Sequence, residues 1–222
     1  MTRVSTTLRF GMAVTAVGGF LDAYSYIGRG GVFAGAQSGN VVLLGVSIAD
    51  ADWHGAVVLL APIGAFMAGA AVAAGVRHAA FTSELITQRV ILMMEIALLV
   101  VAALVPDTAH DVPMSMLVSF AAALQVATFR KVRDWSFTTT ITTNNLVTAV
   151  TSTIQAVSTG DRRARAQSSV FTCIVGSFLA GAIAGGGMTL HFGGQAALLA
   201  VAILALLLAW LCIGEQQGSS QP

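Results

Sequence analysis

The sequence predicts an all-α polytopic membrane protein, with six transmembrane helices and two re-entrant half-helices in an inverted repeat. Three observations carry this prediction. Of the 222 residues, 56% are hydrophobic and only 9% charged, with a mean hydropathy of +0.81; a soluble domain carries about a quarter of its residues charged. Apolar runs near twenty residues recur along the chain, the length that spans about 30 Å of hydrocarbon. Two motifs of the first half return in the second at nearly constant spacing. The residue alternation of a membrane β-barrel is absent. A net charge of +1 gives no electrostatic footprint for nucleic acid.

Taken in order, the first segment runs from about Phe10 to Gly28. Arg3 and Arg9 before it give a signal-peptide-like start. Cleavage would discard or strand Asp22, so the expectation is a retained helix. A short second segment, about Asn40 to Ala49, follows a glycine-rich turn and the polar knot Gln37-Ser38-Gly39-Asn40. Segments three, four and five lie near Gly55–Val76, Val90–Val105 and Met114–Phe129. Segment six, about Asn144 to Val157, is rich in threonine, which makes it a poor free-standing lipid-facing helix. Segments seven and eight are expected near Ser168–Met188 and Gln195–Ile213.

Basic loops stay cytoplasmic. The N-terminus, Arg77/Arg89, Arg130–Arg133 and Arg162–Arg165 all fall inside if segments two and six enter and leave on one side. The acidic loops at Asp50/Asp52 and Asp107/Asp111 then face outward, and both termini are cytoplasmic. If all eight segments crossed, two basic clusters would face out.

Gly64-Ala65-Phe66-Met67-Ala68-Gly69-Ala70 echoes Gly176-Ser177-Phe178-Leu179-Ala180-Gly181-Ala182, offset by 112 residues. Ser38-Gly39-Asn40-Val41-Val42 echoes Thr143-Asn144-Asn145-Leu146-Val147, offset by 105. A single transmembrane domain, 1–222, is therefore expected, with repeats at about 8–105 and 112–213. Such repeats with interrupted helices are typical of channels and secondary transporters. For the glycines taken singly, helix packing is the plainer role.

The runs GFLDAYSYIGRGGVFAGAQSGNVVLLG, LQVATFRK and TTNNLVTAV resemble the YoaK family of uncharacterised bacterial membrane proteins. Its members tend to show Thr-Gly-Asn where this chain has Ser38-Gly39-Asn40, and Thr-Gly where it has Thr143-Asn144. The resemblance implies an integral protein of the bacterial inner (cytoplasmic) membrane and no settled activity.

The candidate substrate-binding residues are Asp22, Gln37, Ser38, Gly39, Asn40, Gln125, Thr143, Asn144 and Asn145. A helix that begins inside the membrane leaves its first N–H groups without intrahelical partners and presents about half a positive charge. Ser38 or Asn40, and Thr143 or Asn144, are favoured cap types for them. Two such ends approaching from opposite faces suit an anion or a polar neutral solute. Asp22 either pairs with Arg29, caps the re-entrant turn, or handles a proton or solute. Gln125 sits near the equivalent place in the second half. Glu95 is expected to snorkel or to pair with Arg89, and Tyr24 and Tyr26 to join an aromatic belt.

The expected function is a channel or secondary transporter for a small polar or anionic solute or ion. The expected partners are the lipid bilayer and, most simply, a second copy in a homodimer. No cofactor, metal site or catalytic residue is assigned: the two cysteines lie in apolar runs and the four histidines are scattered singly. The alternatives are a non-transporting scaffold or sensor, which would tolerate Asn40→Ala, and an intramembrane enzyme, which would need a nucleophile–base pair.

Overall fold

The computed structural model describes residues 4–79, 83–105, 111–140 and 142–219. His110, Asp107 and most of the loop around them lie outside these residues. Among the described residues, eight α-helices make the fold: α1 (Leu8–Gly28), α2 (Gln37–Ala49), α3 (Trp53–Ala79), α4 (Glu84–Leu104), α5 (Asp111–Thr128), α6 (Thr142–Thr159), α7 (Arg162–Phe192) and α8 (Ala197–Ser219). Between α5 and α6 lies a two-stranded hairpin, β1 (Lys131–Val132) paired with β2 (Trp135–Ser136), which the sequence did not suggest. Among the described residues, three stretches are long and apolar enough to cross a membrane: Trp53–His78, Glu84–Leu104, and Arg162–Ile213, which contains α7 and most of α8.

Several helices outrun the apolar segments that mark them. α4 begins at Glu84 and carries Arg89 within it, where a polar loop was expected. α7 begins at Arg162, so the expected loop at Arg162–Arg165 is its first turn, capped by Asp161 Oδ1, which accepts from Arg163 N at 2.8 Å. The reason is that hydropathy marks apolar depth, whereas a helix continues as long as its backbone bonds and caps allow.

α1 is the axis of the molecule. It packs against α7, α8 and α5, and Phe10, Val14, Val17, Phe20 and Leu21 are all buried. Its approach to α7 is set by glycines: Gly181 lies on the Ala16 carbonyl, Gly185 on that of Phe20, and Gly19 on that of Phe178. The two helices therefore run parallel with backbones in contact. α3 meets α5 in the same way, through Gly69 on the Phe120 carbonyl. Gly69 and Gly181 occupy the same place in the two seven-residue echoes.

The side-chain contacts fix which ends of the helices lie together. Phe10 of α1 stacks near Phe129 and Trp210, with centroids 5.4 and 6.2 Å away. Arg89, early in α4, donates to the Leu211 carbonyl late in α8 at 2.8 Å. Arg133 N donates to the Thr6 carbonyl. Thr6, Arg77, Arg130 and Lys131 share one cavity wall. This is the basic end. At the opposite end, Arg29 donates to the Ala102 carbonyl late in α4, and Tyr24 to the Gly194 carbonyl just before α8. Thus α1, α4 and α7 run away from the basic end, and α3, α5 and α8 run towards it.

α2 and α6 are peripheral, α2 on α3 and α6 on α7. The main helix pairings are preserved when α1 is exchanged with α5, α2 with α6, α3 with α7 and α4 with α8. Both lateral helices expose apolar faces: Val41, Val42, Val46 and Ile48 on α2, and Leu146, Val147, Val150, Ile154 and Val157 on α6. α2 has 13 residues, or about 20 Å at 1.5 Å each. α6, with 18 residues, is longer than the expected segment and about 27 Å long.

The threonines of α6 do not make it unfit for an apolar surface. Thr148, Thr151 and Thr159 turn their hydroxyls to the carbonyls four residues back, at 2.8–2.9 Å. Thr153 does the same at 2.7 Å. Bonded in this way to their own helix, these hydroxyls are satisfied without a partner from the surroundings.

Candidate functional site

The centre of the molecule is where the chain turns into α2 and into α6. Gly18 is midway along α1. A side chain at Gly18 would meet the Thr139 carbonyl at 2.7 Å, and one at Gly35 would meet Thr140 Cβ and Cγ2 at 2.6 Å. The turn before α2 therefore rests on the turn before α6, and both rest on α1. Gly30 and Gly31, with φ of 84° and 74°, allow the chain to double back from the end of α1.

Each turn is held by an asparagine acting over seven residues. Asn40 Oδ1 accepts from Phe33 N at 2.8 Å, and its Nδ2 donates to the Phe33 carbonyl at 2.7 Å. Asn145 repeats this on Thr138, at 3.5 and 2.7 Å. Asn40 and Asn145 are buried, and both bind backbone groups with their amides. In these bonds they shape the turns. Gln37 supports the first turn, donating to the Ala34 carbonyl at 2.8 Å and accepting from Asn40 at 3.0 Å. Gly39 packs under the Phe33 ring.

The cap of α2 differs from expectation. Ala36 is the N-cap residue and has no side-chain acceptor. Asp22 of α1 supplies one instead: its Oδ1 accepts from Gly35 N at 2.6 Å and Ala36 N at 3.2 Å. The carboxylate thus sits where the first turn presents its positive end, a favourable placement. Ser38 lies exposed in the first turn. In the second half, α6 begins at Thr142, so Thr143 and Asn144 are exposed first-turn residues and not caps.

Asp22 and Arg29, considered as an ion pair, have separate partners. Arg29 is buried, donates twice to Tyr24 Oη at 2.8 and 3.0 Å, and joins α1 to α4 through Ala102. Tyr24 is therefore an interior hydrogen-bond node and not part of a belt; Tyr26, half exposed, stacks on Phe33 at 5.0 Å. Gln125 is buried beside Gly18 and donates to the Val14 carbonyl at 3.1 Å.

Around the meeting turns, several buried oxygens make no hydrogen bond among the described residues: Asp22 Oδ2, Ser25 Oγ, Gln125 Oε1, and the hydroxyls of Thr139 and Thr140. Buried polar atoms are normally bonded, so these oxygens leave acceptor positions that water or an ion can fill. Sequence reasoning found Asp22 and Gln125 but missed Gly18, Ser25, Gly35, Thr139 and Thr140. The threonine run before segment six was visible, but nothing local says that it folds back onto α1. Glu95 was also misplaced. It lies about three turns into α4, fully buried, with neither carboxylate oxygen hydrogen-bonded among the described residues, while Arg89 turns to Leu211.

Below the turns, towards the basic end, a cavity of about 680 Å³ opens between α3, α5, α6, α7 and the hairpin. Asn144 and Asn145 line it. The structure thus brings Asp22 and Gln125 to the central junction, keeps Gln37, Asn40 and Asn145 as turn supports, and leaves Ser38 and Thr143 outside it.

No curated protein and no solved structure matches the chain. Residues 10–211 match the family described as "Protein of unknown function (DUF1275)", and with nearly the whole chain covered, this membrane-type helical protein belongs to that family.

Proposed function

We propose that the chain is a secondary transporter, or a gated channel, for a small polar or anionic solute, with its site where the two turns meet. The observation that carries this reading is the contact of Gly35 with Thr140 at the middle of α1, beside Asp22 and a set of unbonded buried oxygens. Close packing at that junction favours a closed, alternating pathway over a permanently open pore.

Six crossings with α2 and α6 re-entrant suit the helix directions. Eight complete crossings would make α4 antiparallel to α1, whereas both run from the basic end to the opposite one. The basic end is read as cytoplasmic, which puts both termini inside a bacterial cytoplasmic membrane. α1 and α5 run in opposite directions, so the exchange symmetry of the packing corresponds to an inverted repeat, about 8–105 and 112–213. The bared apolar faces of α2 and α6 are read as lipid contacts, and a homodimer remains the simplest assembly. The reading assigns no catalytic role.

Because Asn40 holds a turn, Asn40→Ala reports on folding and does not separate a transporter from a scaffold. Asp22→Asn does, since it keeps an acceptor for Gly35 N and Ala36 N. Proteoliposomes with the wild-type chain are expected to show saturable flux of a small anion or polar metabolite, lost in Asp22→Asn although that variant still folds, with only the modest loss of thermal stability that removing a charge at a helix N-terminus brings. Absence of flux across a broad solute panel would leave the scaffold reading standing.

A further inference from the structure

The cavity below the turns has a lining that selects a chemistry. Its volume of about 680 Å³ lies within the range of about 300–1,000 Å³ usual for small-ligand sites. Phe66, Ala123 and Phe171 give it an apolar wall, and Asn144 a polar one. Arg130 and Lys131 stand at its basic end, and the described lining contains no carboxylate. Both cations are exposed, so they meet a ligand while still hydrated and cost little to keep charged. Thr138, in the turn held by Asn145, also lines it, so the cavity reaches from the basic end to the junction of the turns.

We propose that this cavity is the entry site for an amphipathic organic monoanion, a carboxylate on a small apolar body. The carboxylate lies between Arg130, Lys131 and the Asn144 amide, and the apolar body lies against Phe66 and Phe171. The cations supply charge-assisted hydrogen bonds, while the aromatic wall rejects strongly hydrated inorganic anions that have no surface to bury. As a statement of substrate class it rests on the transport reading, but binding in the cavity can be measured without flux.

Benzoate and benzamide, matched in shape and differing in charge, are the probes. Calorimetry on the purified full chain in neutral detergent is expected to show benzoate binding at least about tenfold more tightly than benzamide. Inorganic phosphate is expected not to compete. The double variant Arg130→Gln/Lys131→Gln, altered only at exposed positions, is expected to lose that preference at unchanged thermal stability. Equal binding of the two probes, competition by phosphate, or wild-type affinity in the double variant overturns the proposal. Displacement of benzoate by phosphatidylglycerol nanodiscs, but not by phosphatidylcholine ones, also overturns it, by making the occupant a lipid headgroup. Benzoate binding without benzoate flux would keep the cavity site and sink the transport reading. Flux indifferent to positions 130 and 131 would do the reverse.

Discussion

At the residue scale, two amides that look like solute ligands act as turn supports. Asn40 and Asn145 each satisfy a backbone N–H and C=O seven residues earlier. Stranding such groups costs about 1–3 kcal/mol. Asn40→Ala and Asn145→Ala are therefore each expected to lower the thermal midpoint measurably, whereas Ser38→Ala, at an exposed position, stays within about 0.5 kcal/mol of wild type. Equal midpoints for Asn40→Ala and Ser38→Ala in a melting series would contradict the role given to Asn40. The asparagines were visible in the sequence, but their role was not. An amide beside a helix start reads as a cap, and only the returning chain shows that the cap comes from Asp22 on another helix.

At the element scale, the α1–α7 contact is the tightest helix pairing and rests on absent side chains. Gly181 lies on the backbone of Ala16, so a branched side chain there must drive the helices apart. Gly181→Val is expected to cost about 1–3 kcal/mol or more by overpacking. Gly176, one residue of the same echo, has nothing within 4 Å of an added Cβ. Gly176→Ala is expected to be neutral or to gain up to about 1 kcal/mol from helix propensity. Denaturation of the two variants side by side checks this, and a tolerated Gly181→Val would refute the packing account. Within the motif the two glycines look equivalent; the neighbour across the interface separates them. α6 makes a related point. Its threonines counted as polar in composition, yet four of them bond their own helix, and a helix that satisfies its hydroxyls internally can face an apolar medium.

At the scale of the whole molecule, helix directions follow from a few end-to-end bonds, and those directions bear on topology. Single cysteines at positions 52 and 163 are expected to react with a membrane-impermeant thiol reagent from opposite sides, after replacement of Cys173 and Cys212. Labelling of both from one side would match eight full crossings and end the re-entrant reading. The same arrangement gathers Arg77, Arg130 and Lys131 around one cavity at the basic end, where the sequence offered them only as separate loops.

By itself the sequence determined the class, the positions of the apolar helices within about six residues at their ends, and the echo of the two halves. These are local or compositional properties, set by hydropathy and by which residue types tolerate a turn. Only the tertiary structure decided that Asp22 caps α2, that Arg29 turns instead to Tyr24 and Ala102, that Glu95 is buried, and that Gly35 meets Thr140. Those pairings join residues from 5 to 105 positions apart. A one-dimensional pattern shows which groups must find partners, and packing in three dimensions selects the partner each one finds.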